Sequence, residues 1–271
     1  AEEVKQLKDQ GKKVPHLAAV LVGDDGASLT YVGSKVKACE QVGFASTLVK
    51  LPADISEEKL LQEIAKLNTN PEIDGYIVQL PLPKHINEQK ILLAIDPTKD
   101  VDGFHPANFG RMALDMEAFI PATPFGIMEL LKRYKVPTQG KHVVVVGRSH
   151  IVGRPISILL SQKGAQGNAT VTLTHSHTPN LADLTRQADI VVMALGIPEF
   201  LKGNMVKEGV TVIDVGITRL KDDSNPKGYR IVGDVAFDEV KEKASYITPV
   251  PGGVGPMTIA MLLKNTLLAY K

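Results

Sequence analysis

Residues 141–155 read KHVVVVGRSHIVGRP, and the fold turns on this stretch. Residues 143–146 are four consecutive valines, the pattern of a strand buried on both faces and central in a parallel sheet. Gly147 ends the strand, Gly153 follows, and Pro155 suits the first turn of a helix over 156–162. A tight glycine turn from a strand into a helix N-terminus gathers backbone N–H groups at the positive end of a helix dipole, which suits a phosphate. The dinucleotide fingerprint G-x-G-x-x-G is not met. Ser149 stands where the middle glycine belongs, and Gly153 comes one residue late. Spacing alone leaves a plain strand-to-helix turn beside the nucleotide reading.

Working outward, strands are expected over 170–174, 190–194, 212–215 and 246–249. They are short, apolar and separated by helical patterns, so the sheet should be mostly parallel and doubly wound. Upstream, a boundary falls near Ile120-Pro-Ala-Thr-Pro124, with Thr123 as the N-cap of a helix to Tyr134 and Pro124 at its first position. The first half alternates as well. Strands are expected over 16–22, 47–51 and 73–80, the last stopped by Pro81 and Pro83. Helices are expected over 28–42, capped by Ser28, from the capping-box spacing Asp54 to Glu57 onward to about Leu67, and over 86–95. Residues 96–110 read as a polar loop. A last helix over 256–270 should cross back to the first domain. The architecture predicted is two α/β domains flanking a cleft, residues 1–122 with 256–271 and residues 123–255, the second Rossmann-like.

Composition narrows the function. The chain has 271 residues and a net charge of +1, so electrostatics makes no case for nucleic acid or an anionic membrane. The single cysteine, Cys39, excludes an internal disulfide and any cysteine zinc cluster, and suits a reducing cytoplasm. No apolar run reaches membrane-spanning length. The opening AEEVKQLKDQ is already an amphipathic helix without an initiator Met or a cap, so the sequence is expected to begin part-way into the natural chain.

The cofactor can be weighed next. In a dinucleotide fold an acid at the end of the second strand bonds the ribose 2′-hydroxyl of NAD. Here that strand ends in Thr174-His-Ser-His-Thr178, without a carboxylate. Arg148 could meet a 2′-phosphate with its fork of donors and Ser176 could add a hydroxyl, which points to NADP. The plainer reading of Arg148 is a solvated surface residue. His175 and His177 have no third metal ligand beside them and read as loop histidines, so no metal is expected.

Candidates for chemistry lie in the first half. Tyr31 and Lys35 are one helical turn apart and share a face, as do Lys35 and Cys39. Cys39 reads as a small core residue. Gln79 closes a strand at its carboxyl end, where open α/β sheets place ligands. Asp100 and Asp102 flank Val101 ahead of Gly103. Each alone has an ordinary structural explanation.

Together they are more specific. Tyr31-Val-Gly-Ser-Lys35, Gly75-Tyr-Ile-Val-Gln-Leu-Pro-Leu-Pro83, Lys99-Asp-Val-Asp-Gly-Phe104 and Pro121-Ala-Thr-Pro124 form one set. Gly147-Arg-Ser149 with Val152-Gly153, Asp214-Val-Gly-Ile217, and Thr248-Pro-Val-Pro-Gly-Gly-Val-Gly-Pro-Met-Thr258 complete it. With these the chain resembles the bifunctional methylenetetrahydrofolate dehydrogenase/cyclohydrolase family over essentially its whole length, the family's first strand and the start of its first helix excepted. The resemblance implies NADP-linked oxidation of 5,10-methylenetetrahydrofolate to the methenyl cation and then hydration to 10-formyltetrahydrofolate, both in one cleft. It implies that Tyr31 stacks on the aminobenzoyl ring, Asp102 holds the pterin's polar edge, Gln79 hydrogen-bonds Lys35, and Pro251, Gly252 and Gly253 help close the folate slot. It implies a dinucleotide held by Gly147, Arg148, Ser149, Gly153, Ser176 and the turns at Gly196, Gly216 and Ile217. A cytoplasmic homodimer is the assembly implied.

A lysine suits the water step. Water must lose a proton on attack and the ring nitrogen must gain one, so an amine with a pKa lowered by burial can manage both transfers. Arginine does not deprotonate in proteins. Two alternatives remain at this point: an NADP enzyme of the shikimate dehydrogenase kind, which also pairs lysine with aspartate, and a non-catalytic NADP- or folate-binding protein.

Overall fold

The structure, a computed structural model, describes residues 1–225 and 228–271. The chain divides into two units, Ala1–Ala122 with Ile259–Lys271, and Thr123–Thr258.

The first unit runs α1 (Glu2–Asp9), β1 (His16–Val22), α2 (Gly26–Val42), β2 (Ala45–Leu51), α3 (Glu57–Thr69), β3 (Gly75–Val78), α4 (Glu88–Ala94) and α5 (Pro106–Ala113). Among the described residues its sheet has the order β2-β1-β3, all parallel. β1 is central, and every residue after His16 in it is buried. Leu60 and Ile64 of α3, Ile91 of α4 and Tyr76 of β3 close the core over one face. Each such side chain contributes about 1.5–3 kcal/mol of burial free energy.

Three local expectations are corrected here. Asp25, not Ser28, caps α2, its carboxylate accepting from Ser28 N–H at 2.8 Å. Ser56 caps α3 through Lys59 N–H, so the reading of Asp54 as cap fails. Both stretches hold several residues able to cap, and the helix takes the one whose oxygen reaches an orphan N–H. The supposed loop over 96–110 contains the start of α5. His105 caps it through Nδ1, and Pro106 supplies the pre-set first turn.

The second unit runs α6 (Ala122–Arg133), β4 (His142–Val146), α7 (Gly153–Ser161), β5 (Thr170–Thr174), α8 (Leu181–Gln187), β6 (Ile190–Met193), β7 (Thr211–Asp214), β8 (Thr218–Lys221), β9 (Tyr229–Val232), α9 (Phe237–Val240), β10 (Tyr246–Ile247) and α10 (Val254–Tyr270). α10 belongs to this unit only as far as Thr258. Its larger sheet has the order β5-β4-β6-β7-β10, all parallel. The valines of β4 explain its central place. Val143 and Val145 pack with Ile127, Leu131, Ile156 and Leu160, while Val144 and Val146 pack on the opposite face with Leu201, Val206 and Val240. From β4 the chain crosses through α7 to β5 on one side, then returns to β6 on the other. That reversal is the switch point where doubly wound sheets bind ligands, at the carboxyl ends of β4 and β6.

Thr123 lies inside the first turn of α6 rather than capping it, and its hydroxyl shares a 3.0 Å hydrogen bond with that of Thr258. The antiparallel pair β8–β9 has no counterpart in the sequence reading. Among the described residues no helix is long and apolar enough to cross a membrane.

Candidate active site

α2 carries Tyr31 and Lys35 one turn apart. Lys35 is 8% exposed, and its Nζ donates to Gln79 Oε1 at 3.1 Å. Gln79 follows β3 directly. Its N–H donates to Val20 O at 2.9 Å and its Nε2 to Leu80 O at 2.8 Å. The amide is thereby fixed with its oxygen toward the amine. Burial pushes the Lys35 amine below its ordinary pKa, and the negative charge of Asp102 works in the opposite direction. Tyr31 is half-buried, and burial raises its hydroxyl. Cys39 is fully buried with its thiol pushed up to about 11, so it packs and does not react.

The two aspartates of the Asp100–Gly103 loop separate into different roles. Asp100 is buried and accepts from His105 N–H at 2.8 Å, Asn108 Nδ2 at 2.9 Å and Phe104 N–H at 3.2 Å. Burial outweighs those bonds and lifts its carboxyl to about 6. The loop is held further by Asn265 of α10, whose Nδ2 donates to Val101 O and to Ile120 O, both at 2.9 Å. Gly103 has φ +72°, and a Cβ there would sit 2.6 Å from Phe119 O. This scaffold leaves Asp102 half-buried within electrostatic reach of Lys35. Burial raises the Asp102 carboxyl, and the lysine charge lowers it. Asp100 builds the loop, and Asp102 stands toward the Lys35 charge.

In the second unit, Gly147 has φ +114°, and a Cβ there would lie 2.2 Å from Ala194 O. A Cβ on Gly153 would lie 2.0 Å from Gly147 O. Only glycine lets the loop fold back so closely on the head of α7. Ser149 Oγ accepts from the N–H groups of Val152 and Gly153, both at 3.2 Å, so the hydroxyl caps the helix. Arg148 and Ser149 are exposed, as is Ser176 beyond β5. His175 Nδ1 accepts from His177 N–H at 3.2 Å, a local turn contact. Gly196 follows β6 with φ +72°, and Gly216 with the exposed Ile217 follows β7. These residues gather at the carboxyl ends of the parallel strands. Pro251, Gly252 and Gly253 form the turn before α10 and belong to this unit, not to the one holding Lys35, Gln79 and Asp102. A backbone cradle closed to any Cβ at the head of a nine-residue helix fits a dinucleotide phosphate.

Comparison with known proteins identifies the family. The model of the tetrahydrofolate dehydrogenase/cyclohydrolase catalytic domain matches residues 1–102, and that of the family's NAD(P)-binding domain matches residues 121–271. The chain belongs to the tetrahydrofolate dehydrogenase/cyclohydrolase family. It is 73% identical over 271 residues to the bifunctional protein FolD of Flavobacterium johnsoniae, covering all of this chain and 92% of that one. The Campylobacter jejuni FolD methylenetetrahydrofolate dehydrogenase/cyclohydrolase superposes with a TM-score of 0.92 at 50% identity, covering 99% and 92% of the two chains. The Trypanosoma brucei FolD, solved with NADP cofactor and an inhibitor, gives a TM-score of 0.94 at 43% identity, covering 99% and 91%.

Within this dehydrogenase/cyclohydrolase chain, the structure adds residues to which sequence reasoning assigned no role. Asn265 braces the Asp102 loop from the last helix. Asp214 and Asp234 are buried beside the turns at Gly196 and Gly216. Ile151 and Ile197 are exposed, as Ile217 is, in the loops that follow β4 and β6. The exposed isoleucines could have been noticed from their positions after strand ends. The buried aspartates and Asn265 give no local pattern.

Proposed function

We infer that the chain oxidises 5,10-methylenetetrahydrofolate to 5,10-methenyltetrahydrofolate with NADP and hydrolyses the product to 10-formyltetrahydrofolate. The observation that carries this is Lys35: a buried amine with a lowered pKa, positioned by Gln79, in a chain matched by both domain models of the family. In this reading the first unit is the folate-binding catalytic domain, with Tyr31 against the aminobenzoyl ring and Asp102 on the pterin edge. The second unit binds NADP through Gly147, Arg148, Ser149, Gly153, Ser176, Gly196, Gly216 and Ile217. NADP supplies the hydride acceptor. The protein's own chemistry lies in the water step. Water oxygen bonds to the methenyl carbon and gives up a proton to the neutral Lys35 amine. The bond from that carbon to N5 then breaks as N5 takes one proton and the carbinol hydroxyl gives up its own to become the formyl carbonyl, so two protons leave the water, one reaches N5 and one is released overall. Gln79 holds the amine without the added charge a carboxylate would bring.

Family membership disfavours the shikimate-type alternative, and an amine poised for proton transfer has no use in a non-catalytic binder. The test is incubation with methylenetetrahydrofolate and NADP or NAD, following methenyl formation and decay. Absence of either step would overturn the bifunctional reading. The assembly proposed is a cytoplasmic homodimer, which light scattering checks as twice the chain mass.

Asp102→Ala should impair both reactions by weakening folate binding, while NADP binding survives because Asp102 lies in the other unit. The pH dependence carries a sign. The Asp102 charge raises the Lys35 pKa, so its loss should move the Lys35-dependent limb of the cyclohydrolase profile to lower pH. Calorimetry that found unchanged folate affinity would remove Asp102 from the site. A limb that stayed in place would show that the pair is not coupled.

A further inference from the structure

We propose that Asp234 is a positioning residue for cofactor use, its carboxylate setting the turn at Leu195–Gly196 and, through Asp214, tying it to the turn at Gly216 against which the dinucleotide binds. This rests on the reading above that those turns contact NADP. Asp234 is fully buried. Its Oδ2 accepts from Leu195 N–H at 2.6 Å and from Gly196 N–H at 3.0 Å, both in the turn after β6. Asp214, at the end of β7, holds Asp234 in place. Its Oδ1 accepts from Asp234 N–H at 2.9 Å and from Gly216 N–H at 3.0 Å, and its Oδ2 from Val235 N–H at 3.0 Å. A Cβ on Gly216 would lie 2.3 Å from Asp234 Oδ1, and one on Gly233 1.9 Å from Asp214 Oδ2. The two strand-end turns are thus tied together through two carboxylates rather than through direct contact.

Two features argue for function over packing. Asp234 Oδ1 is buried with no hydrogen-bond partner among the described residues, an arrangement that costs stability and that apolar side chains would avoid. The inward N–H groups also have a chemical consequence. With Leu195, Gly196 and Gly216 donating to carboxylates, these three N–H groups of the turns after β6 and β7 are not offered to phosphate. The buried carboxylates therefore set the shape of these turns rather than leave those N–H groups to a ligand.

The test uses the protein's two activities, since the water step can be assayed on methenyltetrahydrofolate without cofactor. Asp234→Ala should raise the KM for NADP by about 10- to 100-fold, the range for lost charge-assisted hydrogen bonds. Its cofactor-free cyclohydrolase activity should stay within about twofold, a change of well under 1.4 kcal/mol. Asp234→Asn, which keeps one carbonyl oxygen for both N–H groups, should recover most of the NADP affinity. If the alanine variant does not fold, Asp234→Ser, whose shorter side chain stops short of the carboxylate's position, is read in the same way. Parallel loss of both activities, an unchanged KM, or an asparagine variant no better than alanine would overturn the proposal. In the unaltered protein NADP should slow amide exchange at 195–197 and 215–217. Exchange there that ignores NADP would overturn the site assignment itself, whatever the variants do.

Discussion

Lys35→Met should lower cyclohydrolase activity by about 10²–10⁴-fold, the usual loss for a general acid–base group, while part of the dehydrogenase activity should survive. Methionine keeps most of the length and the apolar stem, so α2 retains its packing and only the amine is removed. The amine matters because of where it sits. At 8% exposure, with Gln79 Oε1 at 3.1 Å, burial pushes its pKa below the ordinary value, and the Asp102 charge restrains that shift. Hydration cannot proceed without a proton leaving the attacking water. Hydride removal from the methylene carbon needs no protein proton carrier, so methenyltetrahydrofolate should accumulate when the variant turns over with NADP. The assay adds the methenyl compound directly and follows its absorbance, then runs the NADP-coupled reaction on the same preparation. Collapse of both activities would make Lys35 a binding or folding residue. No change in either would place the proton carrier elsewhere.

How much of this was legible before the structure depends on the range of the physics involved. The valines of β4 and the glycines at 147 and 153 announce themselves because two-faced burial and close backbone approach are local demands. The parallel sheet and its switch point follow from them. The Lys35–Gln79 hydrogen bond spans 44 residues, and no local pattern announces it; only the resemblance implied it. Asp100 and Asp102 look equivalent in Asp-Val-Asp-Gly, and they part only when Asn108, His105 and Asn265 close around the loop. The Asp214–Asp234 network was out of reach for the same reason. Its N–H donors come from three separate segments, and each aspartate alone looks like an ordinary strand-end residue. The helix starts failed at a finer scale, since Asp25 and Ser28 can both cap, and the helix begins one turn earlier than Ser28, whose own N–H the Asp25 carboxylate takes.

Arg148→Ala should weaken NADP far more than NAD. The argument begins with the pairing of β4 and β5, where Val146 lies opposite Thr174. Arg148 and Ser176 each come two residues beyond that pair, so the chains that carry them leave the sheet edge side by side. Both residues are exposed there. The segment from Thr174 to Thr178 offers no carboxylate to hold a free 2′-hydroxyl or to repel a phosphate in its place. Ser149 Oγ accepts from the N–H groups at the head of α7 and keeps one neutral O–H to donate, so the guanidinium is the charged donor set that follows Gly147 directly. Loss of a charge-assisted pair to phosphate is worth about 1.5–3 kcal/mol, or roughly one to two decades in affinity. The effect should shrink as salt rises, because an exposed guanidinium is screened before it binds. Titration of the variant with each dinucleotide separates the outcomes. A loss confined to NADP places Arg148 on the 2′-phosphate. An equal loss for NAD would move it to the shared pyrophosphate and leave Ser176 and its neighbours to account for the choice of cofactor.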